Sequence, residues 1–483
     1  MRIWVVLGYL GPFLVGLGLF MLIPLGFSLY YGEPDAGAFG ISLAITAGLG
    51  LLLWLPARRR RQRLSRREAL LVVVGAWITA ALFGALPYEL HGSFPSFLDA
   101  FFEAMSGFTT TGASVLTSIE GQPHGILMWR SMTQWLGGMG IVLLFVAIFP
   151  AIGVGAAHLV EGELPGPKAE RLTARIRDTA KILWALYVGL SVVEVVMLLG
   201  AGLPFFDALA NAFSTMPTGG FCPKDLSIGA YGSGIVEGII IAFMVLAGTN
   251  FQLFYFLLWK RDLRRIIADR ELRWYLAIMV SAVLFIVLDL AINMGYSVGH
   301  AFRHATFQAA AIQTTTGFST TDFAAWPALS RSILLVLMIV GASACSTGGA
   351  LKVIRILVAV KYAYRQMLLV FSPRAVRPLK IAGRVLPERV VSEIVGLSVL
   401  YFGTLVLGSV FMSALGLDVL SAFSSVAATL GNIGPGMGLV GPMANYSAIP
   451  GVGKIVLMFC MLIGRLELWT VLVLLTPAFW KTR

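Results

Sequence analysis

Four short glycine-bearing stretches recur at matched places in the chain, and this internal repeat limits the fold more than any other feature. They are TTTGAS (Thr109 to Ser114), PTGGF (Pro217 to Phe221), QTTTGF (Gln313 to Phe318) and the weaker NIGPG (Asn432 to Gly436). Aligned without gaps on Gly112, Gly220, Gly317 and Gly434, the fourteen residues before each glycine also agree. Ala stands at the third position of all four segments: Ala100, Ala208, Ala305 and Ala422. The seventh is Ala104, Ala212, Ala309 and Val426, and the sixth is always polar: Glu103, Asn211, Gln308 and Ser425. The glycines lie 108, 97 and 117 residues apart, so each repeat is a whole structural unit.

The surroundings of each unit place it in a membrane. The chain is 58% hydrophobic and only 12% charged, far from the soluble globular range. Apolar runs long enough to cross a bilayer number ten, including Ile3 to Gly32, Ser131 to Val160, Gly238 to Trp259, Ser332 to Leu351 and Ile455 to Trp480. The first lacks the short apolar core and cleavage site of a signal peptide and reads as a retained helix. Each repeat then reads as helix, short helix, glycine loop, helix. The short segment holds about ten to twelve residues, too few to cross, so it enters and returns on one face. Such backbone survives in a membrane only where it is buried in protein or lines a water-filled path.

Net charge +12 invites a nucleic-acid reading, but its distribution argues for topology. Thirty of the 36 Lys and Arg residues fall in 58–67, 168–181, 260–273 and 352–389 or at the chain ends. Placing those blocks in the cytosol makes the spans alternate correctly and puts both termini there. The three cysteines, Cys222, Cys345 and Cys460, give neither a disulfide framework nor a metal-ligand spacing. No Walker A or dinucleotide-binding glycine pattern occurs, so no cofactor is expected in this chain.

The loops carry the chemistry of a monovalent cation. A dehydrated cation needs several oxygens, which backbone carbonyls supply. Gly permits the φ values that turn successive carbonyls one way. Thr110, Thr111, Thr218, Thr315 and Thr316 add hydroxyls. No loop offers an acidic ring, which disfavours a divalent site. The short helices would direct their C-terminal dipoles at the cation.

Two further features stand out. Gly341 to Ala350 (Gly341, Ala342, Ser343, Ala344, Cys345, Ser346, Thr347, Gly348, Gly349, Ala350) crowds poor helix formers into an apolar run and predicts an interrupted helix. Small-residue helix packing is the competing reading. Arg465 lies inside the last apolar run, where an unpaired Arg is costly and marks function. Glu467, two residues on, does not share its helix face. Glu194 and Asp289 read as satisfied helix-packing groups, and His300 and His304 as cap or interface residues.

With these residues the chain resembles the Trk/Ktr/HKT superfamily of potassium transporters over essentially its whole length. The four loops, GASACSTGGALKVIRI (Gly341 to Ile356) and IGRLELWTVL (Ile463 to Leu472) carry the likeness. The two helices before the first repeat resemble the longer members of that superfamily rather than the shorter Ktr type. The resemblance implies an all-α polytopic membrane protein with ten transmembrane and four re-entrant pore helices. The expected organisation is 1–68 two N-terminal helices and a basic loop, 69–160 repeat 1, 161–259 repeat 2, 260–372 repeat 3 with a gating loop, and 373–483 repeat 4.

It further implies a potassium selectivity filter built by Thr110, Thr111, Gly112, Thr218, Gly219, Gly220, Thr315, Thr316, Gly317, Asn432, Ile433 and Gly434. The loop Gly341 to Ala350 would obstruct the path beneath it, with Arg465 as an electrostatic barrier. In plant relatives Ser at the first filter glycine accompanies sodium transport, so Gly112 favours potassium. The fourth loop lacks Thr, so the filter is expected to be asymmetric. A homodimer, a cytosolic TrkA-like ring whose RCK domains bind nucleotide, and a bacterial inner-membrane location are also implied.

The reading is therefore gated potassium uptake, not catalysis. A sodium-permeable or proton-coupled symporter of the same fold is the alternative, separable by reversal potentials. A lipid-acting membrane enzyme would need converging acids or histidines, which the chain lacks. The pore subunit of a potassium-pumping ATPase shares the repeat design, but the Arg-bearing last helix and the N-terminal helix pair speak against it.

Overall fold

The computed structural model describes residues 2–58, 64–147, 169–258, 260–375, 377–381 and 384–481. Its regular structure there is helical, apart from one small hairpin pairing Lys380–Ile381 with Arg384–Val385. Six stretches are long and apolar enough to cross a bilayer: Ile3–Tyr31, Ala36–Ala57, Arg67–His91, Lys181–Gly200, Arg270–Asn293 and Glu388–Ala414. Two more spans are bent pairs, Gly234–Ala247 with Phe251–Leu258 at 97° and Gly451–Arg465 with Leu468–Leu475 at 117°. His124–Ala147 accounts for another expected span, whose continuation to residue 160 lies outside the described residues. Ala328–Val340 and Val353–Phe371 are the two halves of the interrupted one. The chain is an all-α polytopic membrane protein.

The two bends correct the expectation of unbroken spans. After Gly248 the backbone turns through Thr249 and Asn250, and the Phe251 N–H leaves the helix to donate to the Cys345 carbonyl at 3.1 Å. In the last span the helix stops at Arg465, and Glu467 takes a left-handed φ of 63°. Arg465 is thus a helix terminus rather than a mid-helix residue.

Four short helices, Phe97–Phe108, Phe205–Thr215, Val298–Gln313 and Val419–Leu430, hold 12, 11, 16 and 12 residues. At about 1.5 Å per residue the longest reaches about 24 Å, less than the ~30 Å hydrocarbon core. The third starts earlier than expected because Ser297 caps it, its hydroxyl accepting the His300 N–H. Ser96 and Asp418 cap the first and fourth in the same way.

The recurrent small residues have a packing cause. Ala100, Ala208, Ala305 and Ala422 are all fully buried, as are Ala104, Ala212, Ala309 and Val426. These positions face other protein segments in every short helix, and small side chains let the neighbours approach. The larger Val426 is accommodated by Gly408 on the adjoining span, where a Cβ would meet Val426 Cγ1 at 2.9 Å. Ion pairs staple different repeats: Lys454 to Asp99 at 2.6 Å and Arg303 to Glu237 at 2.7 Å. The two N-terminal helices, Ile3–Phe20 and Ala36–Arg58, meet through Gly11 and Gly50; a Cβ on Gly50 would lie 2.8 Å from the Gly11 carbonyl oxygen.

Candidate functional site

The short helices end at Phe108, Thr215, Gln313 and Leu430, and the four aligned glycines follow four or five residues later. Two backbone features then recur in register. Gly112, Gly220, Gly317 and Gly434 have φ of 79°, 81°, 78° and 102°. Two residues earlier, Thr110, Thr218, Thr315 and Asn432 have φ of 53°, 57°, 61° and 52°. A β-branched residue is unfavourable in this left-handed region, so three threonines held there mark a backbone imposed by its surroundings. Asn adopts the region more readily. Asn432 therefore fits the same conformation without a Thr.

The four loops close on one another. A Cβ on Gly112 would strike the carbonyl oxygen of Gly219, one on Gly220 that of Thr316, and one on Gly317 that of Ile433. On Gly434 it would lie 2.7 Å from the Thr111 carbonyl oxygen. Each glycine thus packs against the residue that precedes the next repeat's glycine, in the order first, second, third, fourth, first. One chain completes a ring with four quasi-equivalent carbonyls.

A polar scaffold holds this ring from outside. The Thr109 and Thr111 hydroxyls pair at 2.8 Å, and Thr314 and Thr316 repeat the contact at 2.8 Å. Asn432 Nδ2 donates to Thr111 Oγ1 at 2.9 Å and to the Met461 carbonyl at 3.0 Å, joining the fourth loop to the first. Gln134 clamps the second loop, with Nε2 donating to the Gly219 carbonyl at 2.7 Å and Oε1 accepting the Phe221 N–H at 3.1 Å.

The polar sixth position now has a role. Glu103 accepts the Val115 N–H at 2.9 Å and the Ser114 hydroxyl at 2.9 Å, and pairs with buried Arg130 at 2.8 Å. Asn211 donates to the Tyr231 hydroxyl at 2.9 Å. In the third repeat Gln308 donates to Thr320 Oγ1 at 3.4 Å. Each ties a short helix to the limb that leaves its glycine. In the fourth repeat Ser425 bonds only its own helix, and Ser424 takes over, accepting the Met437 N–H at 2.8 Å. Sequence reasoning noted the polarity but missed Thr109, Gln134, Arg130 and Thr314. Two of these were visible as the first Thr of each TTT run.

The segment Gly341 to Ala350 is irregular backbone between two helices and lies against the residues leading into the ring. The Gly349 N–H donates to Thr315 Oγ1 at 2.8 Å. Thr347 Oγ1 donates to the Met216 and Ala247 carbonyls, each at 3.1 Å. The Ser343 N–H reaches the Gly248 carbonyl at 3.0 Å, and Ser346 Oγ the Ser343 carbonyl at 2.6 Å. A Cβ on Gly348 would lie 2.7 Å from Ala342 Cβ and 3.0 Å from the Thr314 carbonyl oxygen. Arg465, 2% exposed, donates through Nη1 to the Thr347 carbonyl at 2.6 Å.

Cys345, Ala350 and Lys352 carry φ of 55°, 57° and 76°. The Ala344 N–H donates to Glu271, and Arg355 pairs with Glu467 at 2.6 Å; neither pairing was expected from sequence. Gly348 to Ala350, Lys352, Arg355, Arg465 and Glu467 line a small common cavity.

Asp289 is a packing group, accepting from Ser330 N and Oγ and from Asn293. Glu194 departs from that expectation. It is fully buried beside the Thr215 hydroxyl, which donates to the Asn211 carbonyl, and neither carboxylate oxygen has a hydrogen bond among the described residues. His300 and His304 bond each other at 3.1 Å, and no group of three metal-ligating side chains occurs among the described residues.

A polytopic membrane protein whose single chain closes four helix–loop–helix units into a carbonyl ring falls among the four-repeat cation transporters. The chain belongs to the TrkH family: the family model described as TrkH, cation transport protein, matches residues 37–482. This is a family of transporters and not of enzymes. The chain is 40% identical to the Trk system potassium uptake protein TrkH of Halomonas elongata, over 100% of both chains. It is 40% identical to the Escherichia coli K12 protein of that name, over 95% of this chain and 96% of that one. The crystal structure of the potassium transporter TrkH from Vibrio parahaemolyticus superimposes with a TM-score of 0.91 at 36% identity, covering both chains fully.

Proposed function

We propose that this chain takes up potassium through the four-loop ring, with the segment Gly341 to Ala350 as its gate. The observation that carries this reading is the cyclic packing of Gly112, Gly220, Gly317 and Gly434 on the carbonyls of Gly219, Thr316, Ile433 and Thr111. Such a ring offers a dehydrated monovalent cation oxygens from all four repeats. The relatives' names supply the ion, since they are potassium uptake proteins. The four short helices end four or five residues before the ring glycines, and their negative ends would favour a cation there.

The filter is the set Thr110 to Gly112, Thr218 to Gly220, Thr315 to Gly317 and Asn432 to Gly434. Its symmetry is imperfect: Gln134 engages the Gly219 carbonyl from behind. Thr315 links filter to gate through the Gly349 N–H. Arg465 fixes the gate and opposes cations with its charge. With both termini cytosolic, an inside-negative potential contributes about 2.3 kcal/mol per charge per 100 mV towards entry. The basic segment 352–389 would receive a TrkA-like ring that binds nucleotide, and the membrane subunit would work as a homodimer in the inner membrane.

Flux of potassium, rubidium, sodium and lithium into liposomes holding the purified chain tests the reading. Potassium and rubidium flux well above the other two is expected, and equal flux for all four ions overturns it. A second reading, proton-coupled symport, draws on buried Glu194, whose carboxylate has no hydrogen bond among the described residues. If it holds, Glu194→Gln abolishes the dependence of potassium flux on a proton gradient. If it fails, that dependence is absent from the native chain.

A further inference from the structure

We propose that Glu271 is a positioning residue, a latch that holds the intramembrane loop against the ring; the proposal rests on reading that loop as the gate. Glu271 is the second residue of the span Arg270–Asn293. Its Oε1 accepts the Ala344 N–H at 2.7 Å and the Ile354 N–H at 3.3 Å. One donor lies in the loop and the other on the helix that follows it. Ala344 is within the irregular segment, and Ile354 is the second residue of the helix that resumes after it. One carboxylate oxygen therefore pins the loop and the helix that follows it to a third helix, and the loop cannot swing out while it holds.

The site is chemically suited to this task. Glu271 is 9% exposed, so water competes little for its acceptor oxygen. Bonds from backbone N–H groups to a carboxylate are charge-assisted and about twice as strong as neutral ones. Backbone links of the segment such as Ser343 to Gly248, Thr347 to Ala247, Phe251 to Cys345 and Val353 to Ala342 are neutral amide bonds. Arg465 acts elsewhere, on the Thr347 carbonyl. Loop position is thus held by a cation from the fourth repeat and an anion from the third.

Glu271 also lies within the basic segment 260–273. Asp269 caps its helix, accepting the Leu272 N–H at 2.7 Å. Movement of that segment reaches the loop without passing through Arg465.

Cys345 follows Ala344 and is a free cysteine that is partly exposed as a residue, whereas Cys222 and Cys460 are buried. Maleimide labelling of the full chain in liposomes, read per peptide by mass spectrometry, therefore reports loop release, with the other two thiols as references. Glu271→Ala is expected to raise the Cys345 rate about tenfold or more, with the Cys222 and Cys460 rates unchanged and basal potassium flux increased. Glu271→Gln, which keeps an acceptor oxygen but loses the charge, is expected to fall between. A native Cys345 rate in folded Glu271→Ala overturns the latch, whatever the flux. Should that variant not fold, Glu271→Gln decides by the same criterion. Faster Cys345 labelling without added flux keeps the latch and rejects the gate reading.

Discussion

The Arg465 guanidinium donates to the Thr347 carbonyl at 2.6 Å, joining the last residue of a fourth-repeat helix to the middle of the third-repeat loop. A second contact, to the Gly137 carbonyl at 3.4 Å, reaches the first repeat. A buried charge is tolerated only where such partners exist, so the loop and Arg465 stabilise each other.

Arg465→Ala should therefore raise cation flux in the isolated chain. A hydrogen bond to a charged group is worth about 1.5–3 kcal/mol, which shifts a closed-to-open ratio by about ten- to a hundredfold. Lys cannot reproduce the forked donor geometry of Arg, so Arg465→Lys should give an intermediate flux. Potassium uptake into liposomes without any cytosolic partner measures both. Native flux in Arg465→Ala would remove Arg465 from the gate.

Gly317→Ala tests the ring. Gly317 has φ of 78°, and an added Cβ would strike the Ile433 carbonyl oxygen and lie 2.8 Å from Pro435 Cδ. Neither backbone nor proline ring can rotate out of the way. The expected result is a loss of about tenfold or more in the potassium-to-sodium permeability ratio, equivalent to about 1.4 kcal/mol, in a protein that still purifies intact. Reversal potentials in mixed salts give the ratio. An unchanged ratio would separate this glycine from selectivity.

The parts legible in the sequence were those with a local cause. Glycine register, buried alanines and the broken run at Gly341 each follow from the conformational or packing needs of a few adjacent residues. The bends after Gly248 and Arg465 were not legible, because the first is held by the Cys345 carbonyl and the second accompanies the Arg355–Glu467 pair. Gln134 with Gly219, Glu271 with Ala344 and Arg355 with Glu467 are separated by 85, 73 and 112 residues. Pairings that cross between helices leave no periodic signal in either segment. Asn432 looked like a departure from the Thr pattern, yet it meets the same left-handed requirement and adds a link to the first repeat.

Asn432→Ala should reveal that link. The variant loses the bonds to Thr111 Oγ1 and the Met461 carbonyl and places Ala in a left-handed conformation that Asn accepts more readily. Two buried bonds at about 1 kcal/mol each predict a lower unfolding temperature and a reduced potassium preference together. Thermal unfolding in detergent and reversal potentials check the pair of effects. A stability loss with native selectivity would confine Asn432 to packing.

Glu103 offers the most discriminating test of how the ring is supported. Its carboxylate is fully buried, pairs with Arg130 at 2.8 Å, and accepts the Val115 N–H three residues beyond Gly112. Removing one partner of a buried ion pair costs about 3–5 kcal/mol, because the other charge remains. Glu103→Ala should therefore unfold at a markedly lower temperature and lose potassium preference. Replacing both partners with apolar residues, Glu103→Met with Arg130→Leu, removes the stranded charge and should recover much of the stability. It does not restore the acceptor for Ser114 and Val115, so selectivity should stay impaired. Recovery of both properties in the double variant would mean that the pair supports the fold alone, and that the limb after Gly112 needs no anchor from its short helix.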